Sequence, residues 1–275
     1  MSIKYINDYR DKTLIKELAV KINHISVKKV KFMEICGGHT VAIHKFGLKE
    51  LLPDTIELLS GPGCPVCVSD KKFIDQAIAY ADLDDVIVAT FGDLIRVPGS
   101  FSTLAKEQAK GADIRIVYSP NEALEIAKNN ASKKVVFLGI GFETTAPTSA
   151  ATIINAKKQN INNFYVYSTH KIMPPAMAAL IDDGIALDGY ICPGHVSAIT
   201  GTSIYEPFAN KFRVGCVISG FEPLDLMQSI YMLVKQIEND NPKVETQYIR
   251  AVKPEGNLKA QVILDEILEP RDDYW

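Results

Sequence analysis

Apolar and polar positions alternate in blocks along the chain. Short, nearly continuous apolar runs recur: "VKFMEIC" (30–36), "TIELLS" (55–60), "VIVATFG" (86–92), "IRIVYS" (114–119), "KVVFLGIG" (134–141), "FYVYSTH" (164–170), "GYICPGH" (189–195) and "RVGCVISG" (213–220). Each has the length and β-branched content of a strand that is buried on both faces. Between them lie segments with apolar residues at helical spacing, such as "DKKFIDQAIAYA", "NEALEIAKNN", "TSAATIINAKKQ" and "EPLDLMQSIYMLVKQIEN". Residues 8–25 and 256–267 read as further helices. Strands alternating with helices predict an α/β protein with parallel sheets. The eight runs fall into two sets of four. The expected architecture is two similar domains, each a mostly parallel four-stranded sheet flanked by helices, with a cleft between them. The boundaries follow as 1–125, 126–242 and a C-terminal tail at 243–275. No residue-level repeat accompanies the architectural one.

Polar motifs sit at one end of these runs. "CGGHT", "GPGCPVC", "FGDLIRVPGS", "GFETTAP", "STHK", "CPGHVS" and "SGFEP" each follow the carboxyl end of a predicted strand. That edge of an open parallel sheet is where ligands bind. Composition narrows the class further. The chain has 275 residues, 47% hydrophobic and 23% charged, with a net charge of −3. A chain this long buries a core without disulfides. No clustered basic face marks a nucleic-acid partner, and no long apolar stretch marks a membrane span. The N-terminal "MSIKYINDYRDKTLIKEL" lacks an apolar signal core, so a cytoplasmic location is expected. Five cysteines, an odd number, in a reducing compartment favour metal or redox chemistry over structural disulfides.

Cys64-Pro-Val-Cys67 places two sulfurs on one turn, within reach of each other or of one metal. A helix start near Asp70 would favour the thiolate. The pair reads as a redox dithiol, as part of a Cys3His zinc site with Cys36 and His39, or as two buried thiols. In Cys36-Gly-Gly-His39-Thr40 the glycines permit a tight turn, and His39 and Thr40 open a helix. Cys36 and His39 suit iron, zinc or copper. Cys36 could equally be a nucleophile, and His39 a capping or core residue. His44 reads as structural.

"GIGFETTAP" enters a helix with Thr144 or Thr145 as the cap and Pro147 in the first turn. It lacks the spacing and lysine of a P-loop. Its Glu143 is a candidate proton acceptor. His170, Cys192 and His195 fall at the same edge in the second predicted domain; His195 opens a helix, and Cys192 reads as structural. Cys216 lies mid-strand and reads as core. Asp93 and Arg96 either orient a ligand or brace their loop.

The strings "MEICGGHT", "GPGCPVCV", "FGDLIRVPGS", "GFETTAP", "THK…PPA" and "CPGHVSAITG", in this order, resemble the hydrogenase maturation factor HypD family from about residue 30 onward. The resemblance implies a scaffold for the Fe(CN)2CO unit of [NiFe]-hydrogenases, with its carbon monoxide and cyanide ligands. It implies work with a small HypC-type chaperone and a HypE-type cyanide donor. Cys36 matches the expected iron ligand, shared with a partner cysteine. Cys64 and Cys67 match a redox dithiol that could also touch metal. His195 matches the family's "PGHVS" histidine, and His39 and Glu143 are expected to support the bound ligands. HypD proteins continue into a cysteine-rich region that binds a [4Fe-4S] cluster. This chain stops at "EPRDDYW", and none of its five cysteines matches those ligands, so no cluster is expected in it. The competing expectations are a thiol–disulfide oxidoreductase that uses only Cys64 and Cys67, and a zinc-stabilised binding module.

Overall fold

The computed structural model describes residues 7–271. Among them nine strands form: β1 (Val30–Glu34), β2 (Ile56–Ser60), β3 (Val86–Thr90), β4 (Ile114–Ile116), β5 (Lys134–Gly141), β6 (Phe164–His170), β7 (Gly189–Pro193), β8 (Gly215–Ser219) and β9 (Val244–Thr246). They build two sheets, in the orders β2-β1-β7-β8-β9 and β4-β3-β5-β6. Every pairing is parallel. The α/β class, with helices covering parallel sheets, is therefore as expected.

The chain divides into two compact units in a way that its periodicity does not announce. Among the described residues, one comprises 7–64 and 173–258; the other comprises 65–172 and 259–271. This corrects the contiguous division at 125 and 242. The reason lies in the pairing: β7 adds to the free side of β1, in register Phe32↔Gly189 to Glu34↔Ile191. Parallel strands join through long crossovers, so sequence neighbours need not be sheet neighbours. The segment 243–275 is also not a plain tail. Val244–Thr246 pairs with β8 as a fifth strand, and its polar "VET" carries no apolar run to reveal it.

Each unit has its own core. In the first, Phe32, Ile191 and Val217 on one face of the sheet pack with Ile22 and with Ile230 and Leu233. Those partners come from the helices Lys12–Ile25 and Pro223–Glu238. The former is capped by Asp11, which accepts from the amides of Thr13 and Leu14. The expected helix over 8–25 is thus a 3-10 turn at Asp8–Arg10, a cap and then the α-helix. In the second unit the alternation of strand residues separates two clusters. Val86, Val88 and Leu138 pack on one face with Phe73 and Ala77. Ile87, Ala89 and Phe137 pack on the other with Ala123 and Ala127. Coverage of both faces is what the unbroken apolar runs encode.

The strand orders place two switch points. In the first sheet the chain leaves β1 toward β2 on one side, while β7, β8 and β9 build out on the other. In the second, β4 lies to one side of β3, and β5 and β6 to the other. The carboxyl ends of β1 and β7, and of β3 and β5, therefore flank the positions at which an open parallel sheet takes a ligand.

Candidate functional site

Cys36 stands at the first of these switch points. It follows β1 by two residues and occupies the cap position of the helix Gly37–Lys45, with extended backbone dihedrals of −154° and 124°. Its side chain is 8% exposed, close to the core but not sealed in it. Burial pushes the thiol pKa up; the Gly38 and His39 amides oppose the rise, and nearby Glu34 adds to it. Neither amide closes a formal capping bond to the sulfur.

The backbone of Cys36 is pinned from below. Glu34, buried at the end of β1, accepts from the Cys36 amide at 3.2 Å and from the Thr40 hydroxyl at 2.5 Å. Ser60, its register partner on β2, adds a third bond. Desolvation raises the Glu34 pKa, and these bonds offset part of the rise.

The "GPGC" turn closes over Cys36. A Cβ on Gly63 would lie 2.5 Å from the Gly37 nitrogen and 2.6 Å from the Cys36 Cα. No side chain fits there, so the two loops touch backbone to backbone. Cys64, the next residue, is thereby carried to the neighbourhood of Cys36. Cys64 is partly exposed and Cys67 exposed, and neither is in a disulfide. Cys64 ends the first segment of the first unit, and Cys67 belongs to the second. The turn Pro65–Val68 is tied by a 2.7 Å bond from the Ser69 hydroxyl to the Pro65 carbonyl. Asp70 caps the helix Lys71–Ala81 that follows, as the sequence predicts.

His39 is fully buried and stacks on Phe221, with ring centroids 4.8 Å apart and planes at 27°. Neither of its ring nitrogens has a hydrogen-bond partner. Burial, with His195 nearby, lowers its pKa to about 4; the Gly220 and Ser219 backbone and Asp225 oppose the shift without closing a bond of ordinary geometry. His195, on the helix Gly194–Thr200 after β7, leans on the same phenyl ring at 5.3 Å. Its outer edge is exposed, yet crowding around the ring still lowers its pKa. The first unit thus gathers Cys36, His39 and His195 at one switch point, with Cys64 beside them. Phe221 and Glu34 complete the group, and neither was identified from sequence. Glu34 lies inside "VKFMEIC" and Phe221 inside "SGFEP", but neither residue type announces a role by itself.

In the second unit Glu143 is buried in the turn after β5, at that sheet's switch point. Thr145 holds the cap position of the helix Ala146–Lys158, but its hydroxyl turns to the Phe142 carbonyl at 3.3 Å instead of capping. Pro147 falls in the first turn, as expected. His170, at the end of β6, bonds Ser168 through Nδ1 at 2.9 Å and Ser149 through Nε2 at 3.3 Å. Burial lowers its pKa to about 4, and these partners hold a neutral ring. Asp93 and Arg96 lie exposed on the loop after β3. His44 is exposed in the last turn of its helix.

Cys192 and Cys216 are fully buried in β7 and β8, as their strand contexts predict. Among the described residues no group of three or more His, Cys, Asp or Glu side chains is gathered to hold a metal ion. Cys36, His39, Cys64 and Cys67 therefore do not form a ready-made zinc set. The residues also do not fit a resident [4Fe-4S] cluster, which takes four cysteine thiolates. No helix among the described residues is long and apolar enough to cross a membrane.

Fold and site together define a two-sheet α/β protein that presents a nearly buried thiol and a C-x-x-C turn at the carboxyl edge of a parallel sheet. The chain belongs to the HypD family of hydrogenase maturation factors: residues 13–275 match the family described as "Hydrogenase formation hypA family". It is 47% identical over 267 residues to a putative hydrogenase expression/formation protein of Methanocaldococcus jannaschii, covering 96% of this chain and 74% of that protein. It is 45% identical over 282 residues to hydrogenase maturation factor HypD2 of Bradyrhizobium diazoefficiens, covering 99% and 74%. The hydrogenase maturation factor HypD of Escherichia coli is 44% identical over 284 residues, covering 99% and 76%.

Proposed function

We propose that this chain acts in [NiFe]-hydrogenase maturation as a scaffold on which the Fe(CN)2CO unit is assembled. The observation that carries the reading is the setting of Cys36. It is a nearly buried thiol at a switch point, and the glycine turn that bears Cys64 lies directly on its backbone. A thiolate is a soft donor suited to iron that carries cyanide and carbonyl. Iron is the cargo of this scaffold; among the described residues no group of three or more His, Cys, Asp or Glu side chains is gathered to hold it as a resident ion. Its remaining positions are filled by the diatomic ligands and by a cysteine of a small HypC-type partner. A HypE-type protein supplies cyanide. His39 and His195 line the thiol's surroundings and orient what binds there. Glu143 serves as the proton acceptor in the second unit.

Cys64 and Cys67 cycle between dithiol and disulfide. Forming the S–S bond releases two electrons and two protons, available for ligand attachment. The exchange needs an accessible thiol, and Cys67 is exposed. A reducing compartment would return the disulfide to the dithiol after each exchange, which fits a cytoplasmic protein.

The test is an infrared spectrum and iron analysis of the protein purified without air with its HypC-type partner, beside Cys36→Ala. The parent should retain iron with bands in the nitrile and metal-carbonyl region, and Cys36→Ala should lose both. Iron held equally by the variant would refute the ligand assignment. Absence of iron, with intact dithiol exchange at Cys64 and Cys67, would favour the oxidoreductase reading.

A further inference from the structure

The "SGFEP" loop after β8 carries no thiol and no histidine, yet it ends at the same switch point. Its Phe221 ring borders Gly38, His39 and His195 beside Cys36. A Cβ on Gly38 would lie 3.2 Å from Phe221 Cδ1 and 3.6 Å from Cys36 Sγ, so ring and sulfur border the same small space. His39 stacks on the ring, His195 tilts against it, and Tyr248 meets it edge-on at 6.2 Å.

We infer that Phe221 is a positioning residue for the Cys36 site: it walls the thiol from water on one side and holds the His39 and His195 imidazoles in place. This deepens the scaffold reading above and rests on it. His39 supplies the main argument. Its two ring nitrogens make no hydrogen bond of ordinary geometry, so none fixes the angle of the ring. The stacked phenyl does so instead, and offset aromatic pairs favour that geometry. Cys36 gives the second argument, since the apolar ring beside it keeps water off the sulfur without offering a competing donor. Such a wall suits a soft metal fragment bearing small uncharged or weakly hydrated ligands.

The loop is rigid enough for the task. The Gly220 amide donates to Gln247 Oε1 at 3.2 Å, and the Glu222 amide to Asp225 Oδ2 at 3.2 Å. Asp225 is fully buried and forms a two-pronged pair with Arg250, at 2.8 and 2.5 Å. Phe221 sits between these two anchors.

The experiment compares the full chain with Phe221→Ala, Phe221→Leu and Gly38→Ala. The rate of Cys36 carbamidomethylation by iodoacetamide is read by peptide mass spectrometry, with Cys64 and Cys67 as internal references, and the His39 ring protons by NMR. Phe221→Ala should speed Cys36 alkylation about tenfold, because alkylation follows access to the sulfur. It should also remove the ring-current shift of His39 and lower iron retention with the HypC-type partner. Phe221→Leu should restore much of the shielding but not the ring-current shift. Gly38→Ala, whose methyl would press on the ring at 3.2 Å and rest on Cys36 Sγ at 3.6 Å, should move the His39 ring-current shift without raising the Cys36 rate, and that NMR readout stands in should Phe221→Ala fold poorly. A Cys36 rate in Phe221→Ala within about twofold of the parent would overturn the inference, because a thiol walled by the ring should react faster once the ring is gone. So would an equal rise at all three cysteines, which marks general loosening. If the parent holds no iron, the scaffold reading fails while the alkylation and NMR results still decide the role of Phe221.

Discussion

Glu34 shows how one side chain sets up a site it does not enter. A carboxylate at the end of an inner strand is costly to bury unless its lone pairs are used. Here they accept from the Cys36 amide, the Thr40 hydroxyl and Ser60. The group fixes the exit of β1, the cap residue and the first turn of the next helix together. Glu34→Ala should therefore leave the buried Cys36 amide without its acceptor and cost about 2 kcal/mol, the penalty for a buried polar group left without a partner. Glu34→Gln, which keeps an acceptor oxygen, should cost less. Urea melts of the three proteins check this; equal midpoints would show that Glu34 is not structural. The cysteines were legible from "CGGHT" and "GPGCPVC" because their residue types announce their chemistry. Glu34 and Phe221 were not, since their importance comes from what they touch across the fold.

At the scale of elements, the GPG turn and the end of β6 each carry a prediction. Gly63 lies where any side chain would run into the Cys36 backbone, at 2.6 Å from its Cα. Packed interiors yield little to such insertions. Gly63→Ala should displace the turn, lower stability by about 2 kcal/mol through overpacking, and reduce iron retention along with Cys36→Ala. Normal iron content in Gly63→Ala would show that the contact between the two loops is dispensable.

His170 couples β6 to the helix Ala146–Lys158 through Ser149, and burial holds its pKa at about 4 against 6.5 unfolded. As pH falls below 6.5, the unfolded chain takes up a proton that the folded chain refuses until about pH 4. Stability is therefore whole above that window and declines through it, by about 1.4 kcal/mol per pH unit at most and about 3 kcal/mol in all. His170→Asn should flatten this part of the pH–stability curve. An unchanged slope between pH 6 and 4 would place the acid sensitivity elsewhere. The strands themselves were legible to within a few residues, because unbroken apolar runs such as "VIVAT" and "KVVFLGIG" are what a doubly covered parallel strand requires. Only the polar "VET" of β9 escaped, since a short edge strand needs no apolar run.

On the scale of the whole molecule, strand order is the feature that sequence spacing could not supply. Periodicity marks each strand, but parallel pairing joins distant segments, and nothing local tells β7 to sit beside β1 and not beside β6. The consequence can be tested with fragments. Residues 65–172 contain all of β3 to β6 and both of their core clusters, which draw on residues such as Phe73, Leu138, Ile87 and Phe137. The helix Leu258–Ile267, mostly assigned to the same unit, buries only Ala260, so its loss should be tolerated. Residues 1–125, the half that a contiguous reading would choose, separate β1 from β7 and β3 from β5. Domains below about 150 residues with a complete core unfold cooperatively. The fragment 65–172 should accordingly show a sigmoidal thermal transition and dispersed amide resonances, and the fragment 1–125 should show neither. Should 1–125 fold cooperatively while 65–172 does not, the discontinuous division would be wrong. Cys36 and Cys64 would then owe their proximity to a local hairpin of loops, not to a sheet that is completed only when β7 and β8 return.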